Sequence, residues 1–149
     1  MLWFGRSALR TLLALWELPQ NALGLLLLSL RFARGHIAAV RFARERVMIE
    51  ISSDGAVSLG LFVFWTPRDN PYVPVGPENE AHEYGHSVQS RWLGPLYLPV
   101  VGIPSSMRVV YAFAYRRITG RRWSGYYDGF PERWADELGG VDRALRPAP

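Results

Sequence analysis

The first third of the chain is dense in Leu, Phe and Ala, and residues 8–45 read as helical. The longest uncharged run, Leu18 to Leu30, is interrupted by Pro19, Gln20 and Asn21. That pattern predicts an apolar helix pair or a helix kinked at Pro19. Arg31-Phe-Ala-Arg34 is echoed at Arg41-Phe-Ala-Arg44, and on a helix these four Arg share one broad face turned to solvent or lipid headgroups. The next stretch, RVMIEISSDGAVSLGLFVFW, holds two runs rich in β-branched and aromatic residues around Ser53-Asp54-Gly55, which predicts a β-hairpin turning there. Thr66 to Pro77, with four Pro and an Asn, is a loop.

Three helices follow. One begins near Pro77, carries Glu78 and Glu80 in its first turn, and is stopped by Gly94-Pro95. On a wheel, Ala81, Tyr84, Gly85, Val88 and Trp92 form its core-facing stripe, while His82, His86, Gln89 and Leu93 share a neighbouring face. A Pro-rich connection leads to a second helix, from about Pro104 to Thr119, stopped by Gly120. PERWADEL forms the last, with Pro131 at its start and Gly139-Gly140 at its end. Nothing resembles a linker, so 1–149 reads as one domain, with apolar helices over 1–45, a hairpin and site helices over 46–140, and a loose tail over 141–149.

Composition narrows the chemistry. There is no Cys, which excludes disulfides, a thiolate nucleophile and Cys-ligated zinc. A metal must therefore be held by carboxylates and by the three His, His36, His82 and His86. Net charge is +4 and every basic residue is Arg. The Arg are scattered and form no recognition motif, so no nucleic-acid partner is expected. The Leu18–Leu30 run is shorter than the ~20 apolar residues of a spanning helix, and Leu93–Tyr115 is broken by three Pro and Arg108. SLRFARGH offers no small-x-small cleavage site, so no cleavable signal peptide is expected. The location stays open between cytoplasm and membrane association, with peripheral contact to the bilayer as one alternative.

The stretch AHEYGHSVQSRWLG carries the candidate chemistry. His82 and His86 lie one turn apart, about 6 Å along a helix axis, so both imidazoles can converge on one ion. Glu83 projects about 100° away, where its carboxylate can act as general base without being a ligand. Gly85 within the helix costs about 1 kcal/mol relative to Ala, which points to close approach by another element. A catalytic zinc site needs a third protein ligand. Position 92, where H-E-x-x-H-x-x-G-x-x-H would place it, is Trp92, which excludes the metzincin pattern. His36 reads as an ordinary surface or core His. Glu132 fits the third position, with Asp136 four residues later able to accept the far N–H of His82. Taken alone, this pair would be read as charge favoured at a helix N-terminus.

HEYGH followed by ERWAD resembles the gluzincin zinc metallopeptidases, in particular the H-E-x-x-H…E-x-x-A-D pattern of the heat-shock-protease and CAAX-prenyl-endopeptidase families. The resemblance covers about a fifth of the chain, which lacks the spanning helices of those membrane-embedded enzymes. The longer strings HEYGHSVQSRWLGPLYLPVVGIPS and YYDGFPERWADELGGV are similar to a group of small bacterial proteins. WELPQNALGL and GAVSLGLFVF belong to the same pattern. The resemblance implies His82, His86 and Glu132 as zinc ligands, Glu83 as base, and an α+β, mostly helical minimal zincin-like domain with a small hairpin or sheet beside the H-E-x-x-H helix. Zincin folds pair extended substrate with an edge strand beside that helix. Ser58 to Phe64, and within it Ser58, Leu59, Gly60 and Leu61, is the strand expected here, equally readable as half of a structural hairpin. Tyr126, Tyr127 and Arg122 are oxyanion candidates by proximity to Glu132. The expected activity is hydrolysis of a peptide or protein substrate; the alternative is a non-catalytic membrane-peripheral or scaffold protein with zinc structural or absent.

Overall fold

The sheet is where residue pattern and fold part company. The structure, a computed structural model, describes residues 11–143. Its strands are β1 (Ile37–Ala43), β2 (Arg46–Ile51), β3 (Val57–Leu59) and β4 (Phe62–Trp65), ordered β1-β2-β4-β3. β1 and β2 form an antiparallel hairpin through Arg44 and Glu45, both at positive φ (51° and 59°), the backbone of a mirror-type two-residue turn. β3 and β4 form a second hairpin through Gly60-Leu61, and β2 pairs with β4 in parallel. Ser53-Asp54-Gly55 is therefore not the predicted hairpin turn but part of a crossover between strands that do not pair. The helical reading of 37–45 is also corrected. Gly35, at φ +67°, follows the end of the first helix, and Ile37, Val40 and Phe42 suit the pleated strand that β2 can pair. Arg41 and Arg44 thus share no helix face with Arg31 and Arg34. The part of the helical reading at 8–10 lies outside the described residues.

A helical stretch at 11–16 breaks at Glu17 and resumes as α1 (Leu18–Ala33), so the chain bends just ahead of Pro19. α2 (Asn79–Leu93) ends at Gly94, φ +53°. A 3₁₀ turn (Gly94–Leu96) and a π turn (Leu98–Gly102) lead into α3 (Ile103–Thr119), and α4 (Glu132–Gly139) follows. The architecture is α+β and mostly helical, with a four-stranded mixed sheet. No helix among the described residues is long and apolar enough to cross a membrane. Of the tail expected to be loose, Arg143 is tied to Asp136, and residues 144–149 lie outside the described residues.

Two small cores support this frame. Ile49, Ile51 and Phe64 pack with Leu27 and Leu28 of α1; Ala112, Tyr126 and Tyr127 pack with Val73 and Trp123. α2 runs between them and buries mainly polar side chains. His82, Glu83, His86, Ser87, Gln89 and Ser90 are buried, whereas Trp92 is 60% exposed and Tyr84 and Val88 are half-buried. Of the predicted core stripe, Gly85 is buried and meets α4 together with Ala81, while the sheet, α1 and the carboxylates of α4 cover the polar side of the helix.

A buried network joins that side to the N-terminal region. Glu17 pairs with Arg46 at 3.1 Å and accepts from Ser90 Oγ at 2.8 Å, while Arg46 donates to the Ser87 carbonyl at 2.7 Å. Gln20 donates to the Gly94 carbonyl at 2.6 Å. Glu17→Ala leaves the Arg46 guanidinium buried without its counter-charge, so a loss of about 3–5 kcal/mol is expected in denaturant unfolding. A loss below about 1 kcal/mol would contradict this reading of the network.

Glycine sets the distance between α2 and α4. A Cβ on Gly85 would lie 1.9 Å from the Ala135 carbonyl oxygen, and one on Gly139 would lie 2.2 Å from that of Ala81. These are backbone clashes that no rotamer relieves. Gly85→Ala would gain about 1 kcal/mol of helix propensity. The forced separation outweighs that gain, and we expect net destabilisation of about 1–3 kcal/mol by thermal or denaturant unfolding. A more stable variant would show that the helices can part freely.

Candidate metal centre

Because α2 and α4 touch backbone to backbone, Glu132, the first residue of α4, lies over the two imidazoles of α2. Its Oε2 lies 3.0 Å from His82 Nε2 and 3.2 Å from His86 Nε2. All three residues are buried, and one donor atom from each lies within 4.8 Å of the others. Asp136, one turn along α4, is 2.7 Å from His82 Nδ1. Gln89 Oε1 is 2.8 Å from His86 Nδ1, with the Gln89 amide oriented by donation of its Nε2 to the Pro131 carbonyl at 3.1 Å. Each imidazole therefore donates Nδ1–H outward and turns Nε2 inward.

That arrangement has one electrostatic consequence. Two Nε2 lone pairs and a carboxylate oxygen converge, and they repel unless positive charge lies between them. Either protons or a metal ion can supply it. A tetrahedral ion with bonds of ~2.0–2.1 Å separates its donors by ~3.3 Å, close to both Glu132–His separations. The other Glu132 oxygen, Oε1, is buried without a hydrogen-bond partner, as a carboxylate placed for a cation would be. The buried His82–His86–Glu132 group can hold a metal ion.

With protons in place of metal, burial alone would lower the pKa of His82, but its hydrogen bonds to Asp136 and Glu132 outweigh burial and raise it to about 9. Burial likewise opposes ionisation of Glu132, yet hydrogen bonds from His82 and His86 hold it far below the ordinary carboxylate range. For His82 the folded pKa exceeds the unfolded value of 6.5. Its contribution is then complete below pH 6.5 and is lost as pH rises through about 9. Metal-free protein should lose up to about 3 kcal/mol of stability across that window. Denaturation in chelator at either end of the window checks this, and stability that holds steady or rises with pH would contradict it.

Glu83 sits beside the cluster. Burial raises its pKa; the neighbouring imidazoles pull it down without reversing the shift. Ser58 Oγ donates to the Glu83 carboxylate at 3.1 Å and lies close to its backbone carbonyl. On the outer side, burial disfavours the Asp136 charge, but hydrogen bonds from His82 and Arg143 keep its pKa below the usual value. Arg143 donates to Asp136 at 2.5 and 2.8 Å and lies over the Tyr127 ring, which meets His82 edge-on at 5.1 Å.

The cluster opens on a cleft of about 860 Å³, walled by Val57, Leu59, Tyr97, Ile103, Met107 and Val110 among others. Tyr126 and Tyr127 line it. Arg122 does not: it pairs with Asp69 at the surface, at 2.5 Å, which removes it as an oxyanion candidate. The strand expected at Ser58 to Phe64 divides in two: the edge strand β3 keeps Ser58 and Leu59, and Gly60 and Leu61 leave it. Gly60 and Leu61 form the β3–β4 turn, where the Leu61 N–H donates to Asn21 Oδ1 at 2.7 Å, away from the cleft. Ser58 and Leu59 do reach the cleft, but the Ser58 carbonyl already accepts the Tyr97 hydroxyl at 3.0 Å. His36 lies between α1 and β1, outside the cluster.

Gln89, Tyr97 and Arg143 have no role in the sequence reading, and Ser58 enters it only as a substrate-strand residue, not as the partner of Glu83. Gln89 was visible on the His82–His86 face, three residues past His86; the other three carry no local signal. Comparison with known families, curated proteins and solved structures found no match to this chain.

Proposed function

We propose that the protein is a zinc-dependent hydrolase of a peptide or related amide bond, with His82, His86 and Glu132 as ligands and Glu83 as general base. The observation that carries this reading is the inward convergence of three electron-rich atoms, with both Nδ1 positions engaged outward, beside a buried carboxylate in a cleft. Two imidazoles and one carboxylate without thiolate suit zinc, and three protein ligands leave one tetrahedral position open, the pattern of catalytic rather than structural sites. The motif resemblance of HEYGH and ERWAD points the same way. Held by His82, His86 and Glu132, zinc would supply Lewis acidity, bringing the pKa of water to ~7 and polarising a carbonyl.

The remaining steps belong to the chain's own residues. Burial makes Glu83 a stronger base than an exposed carboxylate, and Ser58 fixes its direction. As water attacks the amide carbon, Glu83 accepts its proton; the same carboxyl then donates that proton to the departing nitrogen as the C–N bond breaks. Asp136 and Gln89 hold the imidazoles in the required tautomer. Tyr126 and Tyr127, whose hydroxyls burial keeps protonated, are available as donors to the developing oxyanion. The test is hydrolysis of a fluorogenic peptide mixture by zinc-loaded protein. Turnover should vanish on chelation and return with zinc; absence of turnover on peptides and simple amides alike would contradict the proposal.

A further inference from the structure

α1 is built inside out. Its buried positions are Gln20 and Gly24, while Leu18, Leu23, Leu25, Leu26, Leu30 and Phe32 face outward, Phe32 at 77% exposure. A helix on a water-facing surface does the reverse. α3 follows the same plan: Ala112 is its one buried residue, and Ile103, Met107, Val110 and Ile118 are exposed, Ile118 at 84%. Scattered surface Leu needs no explanation, but two helices with outward apolar faces mark a contact surface.

Charge indicates what covers them. α1 and α3 contain no Asp or Glu, although the chain has 13 acidic residues. Arg34, exposed at the C-terminal end of α1, and Arg117, exposed in the last turn of α3, supply cations beside these faces, whereas Arg31 turns to Ser53. Arg forks match phosphate geometry. On the wheel the outward apolar residues of α1 spread over about half its circumference, a rounded surface that a fluid apolar phase covers without shape complementarity. Its 16 residues reach only ~24 Å, short of the ~30 Å hydrocarbon core, so α1 can embed but not cross.

We infer that α1 and α3 dock the protein on an anionic lipid bilayer. The cleft lies at that surface. α1 packs on β3, where a Cβ on Gly24 would come within 3.0 Å of the Leu59 carbonyl, and Leu59 lines the same cleft as Ile103, Met107 and Val110 of α3. Among the described residues no Arg lines the cleft, and the carboxylates that line it are Glu83 and Glu132. Resting on the hydrolase reading, the substrate class that follows is an apolar segment presented at the membrane.

Co-sedimentation of the full chain with phosphatidylcholine–phosphatidylglycerol vesicles tests the docking. Wild type should pellet with the vesicles, and Leu25→Glu/Leu26→Glu, which alters exposed positions only, should bind at least ~10-fold more weakly with unchanged circular dichroism. Glu132→Ala should bind vesicles like wild type, so failure of the metal reading leaves this result standing. A chain that stays in the supernatant, a double variant that binds as well as wild type, or a dimer that the same double substitution dissociates would each overturn the proposal.

Discussion

Glu83→Gln is expected to leave zinc bound and to lower hydrolysis by about 10²–10⁴-fold. Gln keeps the shape of the side chain and can still accept the Ser58 hydroxyl, so the cleft is preserved. What it loses is the capacity to take a proton. Burial already raises the Glu83 pKa, and a neutral amide removes a desolvated charge, so the variant should unfold no more readily than wild type. Steady-state rates on a fluorogenic peptide, alongside zinc content, check both halves. Activity within a few-fold of wild type would take Glu83 out of the chemistry.

Glu132→Ala is expected to weaken zinc binding by at least ~100-fold, since losing even an outer partner of a ligand costs about 10–100-fold. One carboxylate oxygen faces both imidazoles, so its removal leaves two neutral Nε2 atoms and no compensating charge. Glu132→Gln separates charge from shape and should also bind weakly while keeping the helix contact. Competition against a chromophoric chelator reads both variants, with circular dichroism to verify folding. Unchanged affinity would disqualify Glu132 as a ligand.

Much of this site could be seen locally in the sequence. His82, Glu83 and His86 gain their relation from helix geometry alone, and the ends of α2, α3 and α4 are written in Pro77, Gly94-Pro95, Gly120, Pro131 and Gly139-Gly140. Glu132 was found by chemical need, because two His without a third ligand make no catalytic zinc site. Gly85 gave a further hint: its contact with the Ala135 carbonyl is the close approach that a costly mid-helix glycine predicts. The sheet was less legible because its pairings are non-local. Arg44-Glu45 adopts positive φ without turn-forming residues, and the parallel β2–β4 pairing leaves no mark on either strand. The buried side of α2 is wider than its apolar stripe for a physical reason: Ser87 and Ser90 find polar partners in Arg46 and Glu17, while Tyr84, Val88 and Trp92 of the stripe stay partly exposed or exposed. Arg143, tied to Asp136 from seven residues downstream, carried no pattern at all.

The most direct measurement is zinc-edge X-ray absorption on the full chain reconstituted with equimolar zinc and desalted. We predict retention of one zinc per chain, with imidazole nitrogens and oxygen donors at ~2.0–2.1 Å, and loss of that signature in Glu132→Ala. A desalted protein without zinc, or a coordination shell lacking imidazole, would contradict the account.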